Sequence, residues 1–390
     1  MSKLLFAFEG DMPTISIMRD MFSRLKNHPE IQPSFMYLTD ISAADIDGHD
    51  IVIFMRPMNI YSWRVAKKSK EAGHVTISFC DDDLLNLPTT LPTIPWRKRG
   101  LLKNLKYSDV IWSSSRYIAE KYRELTAGKR TVCLDTILQP EEFHGIDSEH
   151  KENGKVKIVY AAGAGHAGLF ERFVKPIIPG IMKEFGEKIS WTFVGSHPQM
   201  DEHIPCEYVS GLPLLEYRKY MKEQNFDIGL APLENNEFSK CKYFNKFIEY
   251  TTQGIAGIYS NTEPYTYVVK DGDNGLLADN TPEAWADALC RMIRDSALRR
   301  DCVENAIDYL QENHSEDAVI ARLEEGIPEI LLEKQSYRKC GHFEAFRILY
   351  YLSRVFDWLY MTSFYLKRTG IRDVFARMMV HIKGHAYSRR

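Results

Sequence analysis

FDIGLAPLENNEFSKCKYFNKFIEYTTQGIAGIYSNTEPYTYVVKDGDNGLLADNTPEAWADAL, residues 226–289, alternates short apolar runs with amphipathic ones. FDIGLAP and GIAGIYS are apolar on both faces, as strands buried within a parallel sheet are. Between them, Tyr243 to Thr252 has helical spacing, and after NGLLADN a further helix is predicted over Pro282 to Asp295. A strand, a helix and a second strand of this kind form a crossover unit of an α/β sheet.

The alternation extends outward in both directions. Upstream lie VKIVYAAG, a helix from about Leu169 to Phe185, ISWTFVG, EYVSG and a helix from Pro213 to Glu223; downstream, a helix covers Leu298 to Glu312. The first third of the chain repeats the pattern with KLLFAF, a helix near Ile15 to Leu25, SFMYL, DIVIFM, a helix near Tyr61 to Glu71, VTISF and DVIWSS. Thr136 to Lys155 loses periodicity and gains Pro, Gly and charge, which reads as a linker. The expected fold class is α/β, with two Rossmann-like domains facing a cleft. The expected boundaries are an N-terminal domain over 1–135, a linker over 136–155, a C-terminal domain over 156–334 and a helical, amphipathic, basic tail over 335–390.

Of the 390 residues, 44% are hydrophobic and 26% charged, the balance of a chain that buries large cores. A net charge of −3 conceals an asymmetry: Lys334 to Arg390 holds twelve Lys/Arg against three Asp/Glu, which leaves 38 against 50 elsewhere. The apolar start of MSKLLFAFEG is closed at once by Glu9 and Asp11, so neither a signal peptide nor a spanning helix is expected there, and the chain is placed in the cytoplasm. Seven cysteines without a CxxC pair argue against a zinc site and against a secreted disulfide framework. The sequence has no GxSxG, HExxH or GKS/GKT, so hydrolase, zincin and P-loop ATPase readings lack support.

Three places hold candidate chemistry. VKIVYAA ends in GAGHAG, where Gly163, Gly165 and Gly168 let backbone approach a ligand, and the helix that follows offers amides to phosphate oxygens. A tight strand-to-helix turn requires glycine for steric reasons as well, and both readings fit; no acidic residue ends the next strand, so the dinucleotide fingerprint is incomplete. His166 inside this loop is a candidate for reaching a diphosphate or the transferring group. Second, Lys242 and Lys246 are four apart and Glu249 lies one turn beyond Lys246, a spacing that suits two ammonium groups on a diphosphate and a carboxylate on vicinal ribose hydroxyls. A solvated Lys–Glu helix face has the same spacing. Third, Asp81, Asp82 and Asp83 follow VTISFC; Asp82 is taken as the carboxylate that meets an acceptor hydroxyl, and a helix cap is the alternative. Glu9, Gly10 and Asp11 end the first strand and are expected on the same side.

The order of features over residues 226–289 resembles the donor-binding half of the family 4 glycosyltransferases (glycosyl transferases group 1) and related bacterial glycan-assembly glycosyltransferases. A strand ends in Ala231-Pro232, a loop carries Lys242, and a helix carries Lys246 and Glu249. Gly254, Glu263-Pro264-Tyr265, Asp271-Gly272, Asn274-Gly275-Leu276 and Pro282 to Trp285 follow. The resemblance implies the GT-B architecture, a nucleotide-diphosphate-sugar as donor substrate, no metal or other cofactor, retention of anomeric configuration, and donor-site roles for Gly163, Gly165, Lys242, Lys246, Glu249, Glu263 and Tyr265. There is one departure. The family helix carries two glutamates separated by seven residues, and the first position is Cys241 here. The sugar contact then passes to amides around Thr262 to Tyr265 or to Glu237.

In the tail, Ile371, Val374, Phe375, Met378, Met379 and Ile382 form one apolar helix face, with Arg372, Arg377 and Lys383 away from it. Phe343 to Leu366 is aromatic-rich but too charged to span a bilayer. Residues 343–390 are expected at a membrane surface, with Phe343 to Leu366 partly returning onto the first domain; no nucleic-acid fold accompanies the basic residues. The expected activity is transfer of a sugar to a glycan or lipid-linked acceptor at the inner face of the plasma membrane. The alternatives are a sugar-nucleotide epimerase on the same architecture and a non-catalytic nucleotide-sugar-binding scaffold.

Overall fold

The computed structural model describes residues 2–86, 94–133, 135–144, 154–163, 167–330 and 337–370. The chain divides into two compact units, one formed by the described residues of Met1–Leu134 and Leu323–Arg390, the other by those of Asp135–Arg322.

In the first unit, β1 (Ser2–Phe8), β2 (Ile31–Tyr37), β3 (Ile51–Met55), β4 (Val75–Cys80), β5 (Val110–Ser113) and β6 (Arg130–Cys133) form a fully parallel sheet in the order β2-β1-β3-β4-β5-β6. Helices α1 (Pro13–Ser23), α2 (Ala43–Asp47), α3 (Ile60–Ala72), α4 (Pro95–Tyr107) and α5 (Arg116–Leu125) connect them. The continuous apolar runs expected of buried parallel strands are realised in β3, where all five residues are buried. Pro33 sits in β2 at the sheet edge, where its missing N–H costs no interior ladder bond.

In the second unit, β7 (Val156–Ala161), α6 (Ala167–Phe173), α7 (Ile178–Phe185), β8 (Ile189–Val194), β9 (Cys206–Val209), α8 (Leu214–Gln224), β10 (Ile228–Ala231), α9 (Glu237–Lys240), α10 (Asn245–Thr252), β11 (Ala256–Ser260), β12 (Leu276–Ala278), α11 (Pro282–Arg294) and α12 (Ser296–His314) follow in turn. The parallel sheet runs β12-β11-β10-β7-β8-β9. One face packs Phe170, Trp191, Phe193 and Trp285, the other Phe247, Tyr250, Tyr259 and Leu310. The helix expected over Leu169 to Phe185 is divided in two with a 3-10 turn at Lys175–Ile177, because Pro176 and Pro179 each lack the N–H that a continuous helix needs.

Helix α13 (Glu316–Gly326) precedes the return to the first unit, which ends in the 23-residue helix α14 (Arg347–Thr369). Cys340 and Phe343 are buried among Leu5, Phe54, Tyr61 and Val65. Hydrogen bonds then dock α14, among them Tyr350 Oη donating to the Glu9 carbonyl at 2.8 Å, Asn59 Nδ2 to Ser353 Oγ at 2.7 Å, and Trp96 Nε1 to Asp357 at 2.8 Å. The part of Phe343 to Leu366 expected to return onto the first domain does so. The expected helix over Ile371 to Lys383 lies outside the described residues.

Candidate functional site

Strand order locates the crevice of the second unit. Counted from β7, the order is 3-2-1-4-5-6 in reverse, and it switches direction between β7 and β10. Open α/β sheets bind ligands at such a switch, outside the carboxyl ends of the two strands. A pocket of about 600 Å³, including its part open to solvent, occupies that place. It is lined by Tyr160 to Gly163 after β7, by Leu230 to Leu233 after β10, and by Lys242, Tyr243, Asn245, Lys246 and Tyr265.

The two lysines reach it from different elements, and Glu249 stands behind Lys246 without lining it. Lys246 and Glu249 stand in α10, while Lys242 lies in the turn between α9 and α10. Their expected position together on one helix face is therefore not what brings the lysines into one pocket; the chain reversal from Cys241 to Phe244 does so. Asn236 caps α9 by accepting from Ser239 N at 2.8 Å, which ends that segment as a separate short helix. Lys242 makes no ion pair with a described residue; its ammonium lies 5.4 Å from the Phe238 ring centroid. Lys246 is ion-paired with Glu249 and donates to Tyr217 Oη at 3.3 Å, and Tyr217 Oη donates to Glu249 Oε2 at 3.1 Å. Burial, reinforced by the Glu249 charge, pushes the Tyr217 hydroxyl well above its ordinary pKa, so it stays a neutral donor. Tyr217 belongs to α8, and no spacing in the sequence joins it to Lys246.

Tyr265 lines the pocket with its ring buried against Tyr259. Glu263 is joined to Pro264 by a cis peptide, and its Oε2 is buried without a hydrogen-bond partner. Gly163 lines the pocket, whereas Gly165 and His166 lie outside the described residues. Cys241 is buried, donating from Sγ to the Glu237 carbonyl at 3.2 Å, and it is not among the lining residues. Glu237 is exposed and pairs with Lys240 at 3.4 Å.

Other members of the ordered series shape the scaffold. Asn274 is buried, accepting from Lys270 N at 2.8 Å and donating to the Val268 carbonyl at 2.9 Å. Gly275 takes φ +157 with the Tyr259 ring 3.0 Å from where a Cβ would stand, so a side chain is doubly disfavoured. A Cβ on Gly229 would meet the Tyr250 ring at 2.6 Å, which explains a glycine inside β10.

In the first unit the strand order switches between β1 and β3, and the residues after those strands are Glu9 and Arg56. Glu9 Oε1 accepts from Met58 N at 3.1 Å and Asn59 N at 2.7 Å; burial nevertheless raises its pKa, against the pull of Arg97. Arg56 has φ 47, a left-handed backbone uncommon outside glycine, and its guanidinium is 3.4 Å from both Asp81 and Asp82. Asp83 is the turn cap, accepting from Leu85 N and Asn86 N and pairing with Lys121 at 2.6 Å. Asp82 is thus separate from the cap and sits with Arg56 at the carboxyl end of β4.

With this geometry in place, comparison with known proteins is informative. Residues 246–309 match the family model described as Glycosyl transferases group 1. That segment, which begins at Lys246 and includes Glu249, is similar to the group 1 glycosyltransferases. The chain's two six-stranded parallel sheets are those of the GT-B fold. The same fold is found in Alr3699/HepE from Anabaena, solved in complex with UDP-glucose, at 10% identity over 84% of this chain and 100% of that one, with a TM-score of 0.56. It is also shared by an alpha-glucosyltransferase in complex with UDP and a 13-mer DNA (12% identity, 83% and 98% covered, TM-score 0.57). Sucrose-phosphate synthase from Thermosynechococcus elongatus is a third (11% identity, 83% and 98%, TM-score 0.56). No curated protein matches in sequence.

Proposed function

We propose that this chain is a glycosyltransferase that moves a sugar from a uridine-diphosphate donor to a hydroxyl of a glycan or lipid-linked acceptor at the cytoplasmic face of a membrane, with retention and without a metal. The observation that carries the donor site is the pocket at the β7/β10 switch, into which Lys242 projects without a carboxylate partner among the described residues, beside the Lys246–Glu249 pair. A diphosphate supplies the charge that Lys242 lacks. Lys246 then turns from Glu249 to phosphate, and Glu249 is released to accept from vicinal ribose hydroxyls.

As the bond between the anomeric carbon and the diphosphate oxygen breaks, its electron pair leaves on the nucleotide, and both ammonium groups face that developing charge. The lysines neutralise the diphosphate, so no cation is assigned. Uridine is favoured because HepE and the alpha-glucosyltransferase of the same fold are described as holding UDP. Retention follows from the family resemblance. Asp82 is assigned to the acceptor hydroxyl, held by Arg56 at a strand end of the first unit; His166, Gly165 and Glu263 are assigned to the donor side.

A product assay with UDP-sugars labelled in the sugar, run with and without membrane extract, tests the reading. Label should move into a glycan or lipid fraction with release of UDP. Conversion of one UDP-sugar into another without transfer would replace the reading by epimerisation, and binding without any turnover would favour the scaffold.

A further inference from the structure

Opposite its docked side, α14 has a face that no described residue covers. Ile348, Tyr351, Val355, Phe356 and Trp358 are each half or more exposed, and with Leu352 and Leu359 they form one apolar face along the helix. So large a contiguous apolar face marks an interaction site. No helix among the described residues is long and apolar enough to cross a membrane. The inward side of α14 explains why it would not leave the protein: Asp357 is buried, held by Arg97 at 2.6 Å and by Trp96.

Helix α4, PWRKRGLLKNLKY, lies against α14 through that contact, and the Trp96 ring stacks edge-on with Tyr360 at 5.3 Å. It carries five Lys/Arg and no Asp/Glu. Arg97 is committed to Asp357, but Lys98, Arg99, Lys103 and Lys106 make no ion pair with a described residue. Arg99, Leu102 and Lys106 face outward, and Trp96 at the edge of this face joins it to α14. An exposed apolar ridge with Trp and Tyr therefore adjoins four cations that nothing described neutralises.

We infer that the adjoining outer faces of α4 and α14 dock this chain onto an anionic phospholipid bilayer. Both halves of the surface are satisfied at once there: the apolar ridge enters the acyl boundary, Trp96, Tyr351 and Trp358 sit at the headgroup level, and the α4 cations meet lipid phosphates. An acidic protein groove would satisfy the cations but has no comparable use for a ridge ending in interfacial aromatics. The inference rests on the membrane reading above and gives it a place: to the expected residues 343–390 it adds α4, and it puts the contact on two described helices of the first unit.

The test is co-sedimentation of the full chain with vesicles of phosphatidylcholine, with and without phosphatidylglycerol. Three further proteins are compared: Arg99→Glu/Lys106→Glu, Val355→Asn/Leu359→Asn, and a chain ended at Gly370. All substituted side chains are solvent-facing, so melting temperature should hold, and UDP titration of each protein separates a failure of docking from a failure of the donor site. The expected result is binding to anionic vesicles that weakens with salt, and a loss of about tenfold or more in each double variant. The chain ended at Gly370 should keep most of its binding. The inference is overturned by absence of binding in the full chain, by unchanged binding in both double variants, or by loss only on ending the chain at Gly370. A dimer of the full chain that Val355→Asn/Leu359→Asn dissolves would overturn it too, since the face would then be covered by a second copy.

Discussion

Lys246 and Glu249 neutralise one another at the pocket wall, and Tyr217 bridges them. The arrangement spares two partly buried charges an unpaired state, and under the proposed function the donor exchanges those contacts for phosphate and ribose. Replacing Lys246 by alanine removes one charge-assisted bond, a loss of about 1.5–3 kcal/mol or roughly 10- to 150-fold in Kd for UDP. Glu249→Ala should also weaken binding, and calorimetric titration reads both; unchanged affinity in the two variants would discard the site. Tyr217→Phe keeps the ring under Lys246 and deletes only the hydroxyl, so about 1 kcal/mol, near fivefold in Kd, is expected at unaltered melting temperature. The lysines and Glu249 were legible because they are close in the chain and stand in an ordered series. Tyr217 was not, since it reaches them only through the packing of α8. Asn274 belongs to the same series yet is consumed by two backbone bonds, which sequence order does not distinguish from a ligand contact.

At the scale of elements, the return of α14 to the first unit is fixed by its approach segment. Cys340 N donates to Asp47 at 2.7 Å, and Glu344 accepts from Ala43 N at 2.9 Å and Phe343 N at 3.0 Å. The Ala43 and Phe343 amides, with the Glu344 backbone, hold that carboxyl down to about 2 from an ordinary 4.5. A carboxyl depressed in the folded state stabilises above its unfolded pKa and loses that contribution as pH falls through the folded one. The difference in melting temperature between the natural chain and Glu344→Gln should therefore be constant above about pH 5 and shrink between about 4.5 and 2. A difference independent of pH over that window would show that the amide contacts do not depend on the charge. Most strand positions were legible, because buried parallel strands are short apolar runs between helical ones; β6 was not, since its four residues RTVC include a single buried one and show no apolar run. Helix continuity was less so: Pro176 and Pro179 divide the segment read as one helix, and the turn at Cys241 to Phe244 sets Lys242 outside α10.

Across the whole molecule, two similar sheets arise from different strand orders, and that order was the part of the fold the sequence could not show. Pairing β7 with both β8 and β10 joins segments separated by tens of residues, and alternation alone does not say which neighbours which. The order matters because it puts the switch, and hence the pocket, beside Gly163 and Leu233. Each unit has its own buried core, and the residues proposed for the donor site all lie in Asp135–Arg322. A ligand that binds only the folded form stabilises it by about 2.7 kcal/mol at a hundred times Kd. For a unit of this size that is roughly 5–10 °C. Scanning calorimetry with UDP should raise the transition of the Asp135–Arg322 unit by that amount and leave a transition of the first unit in place, and Lys246→Ala should need correspondingly more nucleotide for the same rise. If one transition covers the chain and moves as a whole, the units unfold together and the separation of their cores does not extend to their stability. If neither transition moves at saturating UDP, the pocket between β7 and β10 is not where the nucleotide is held.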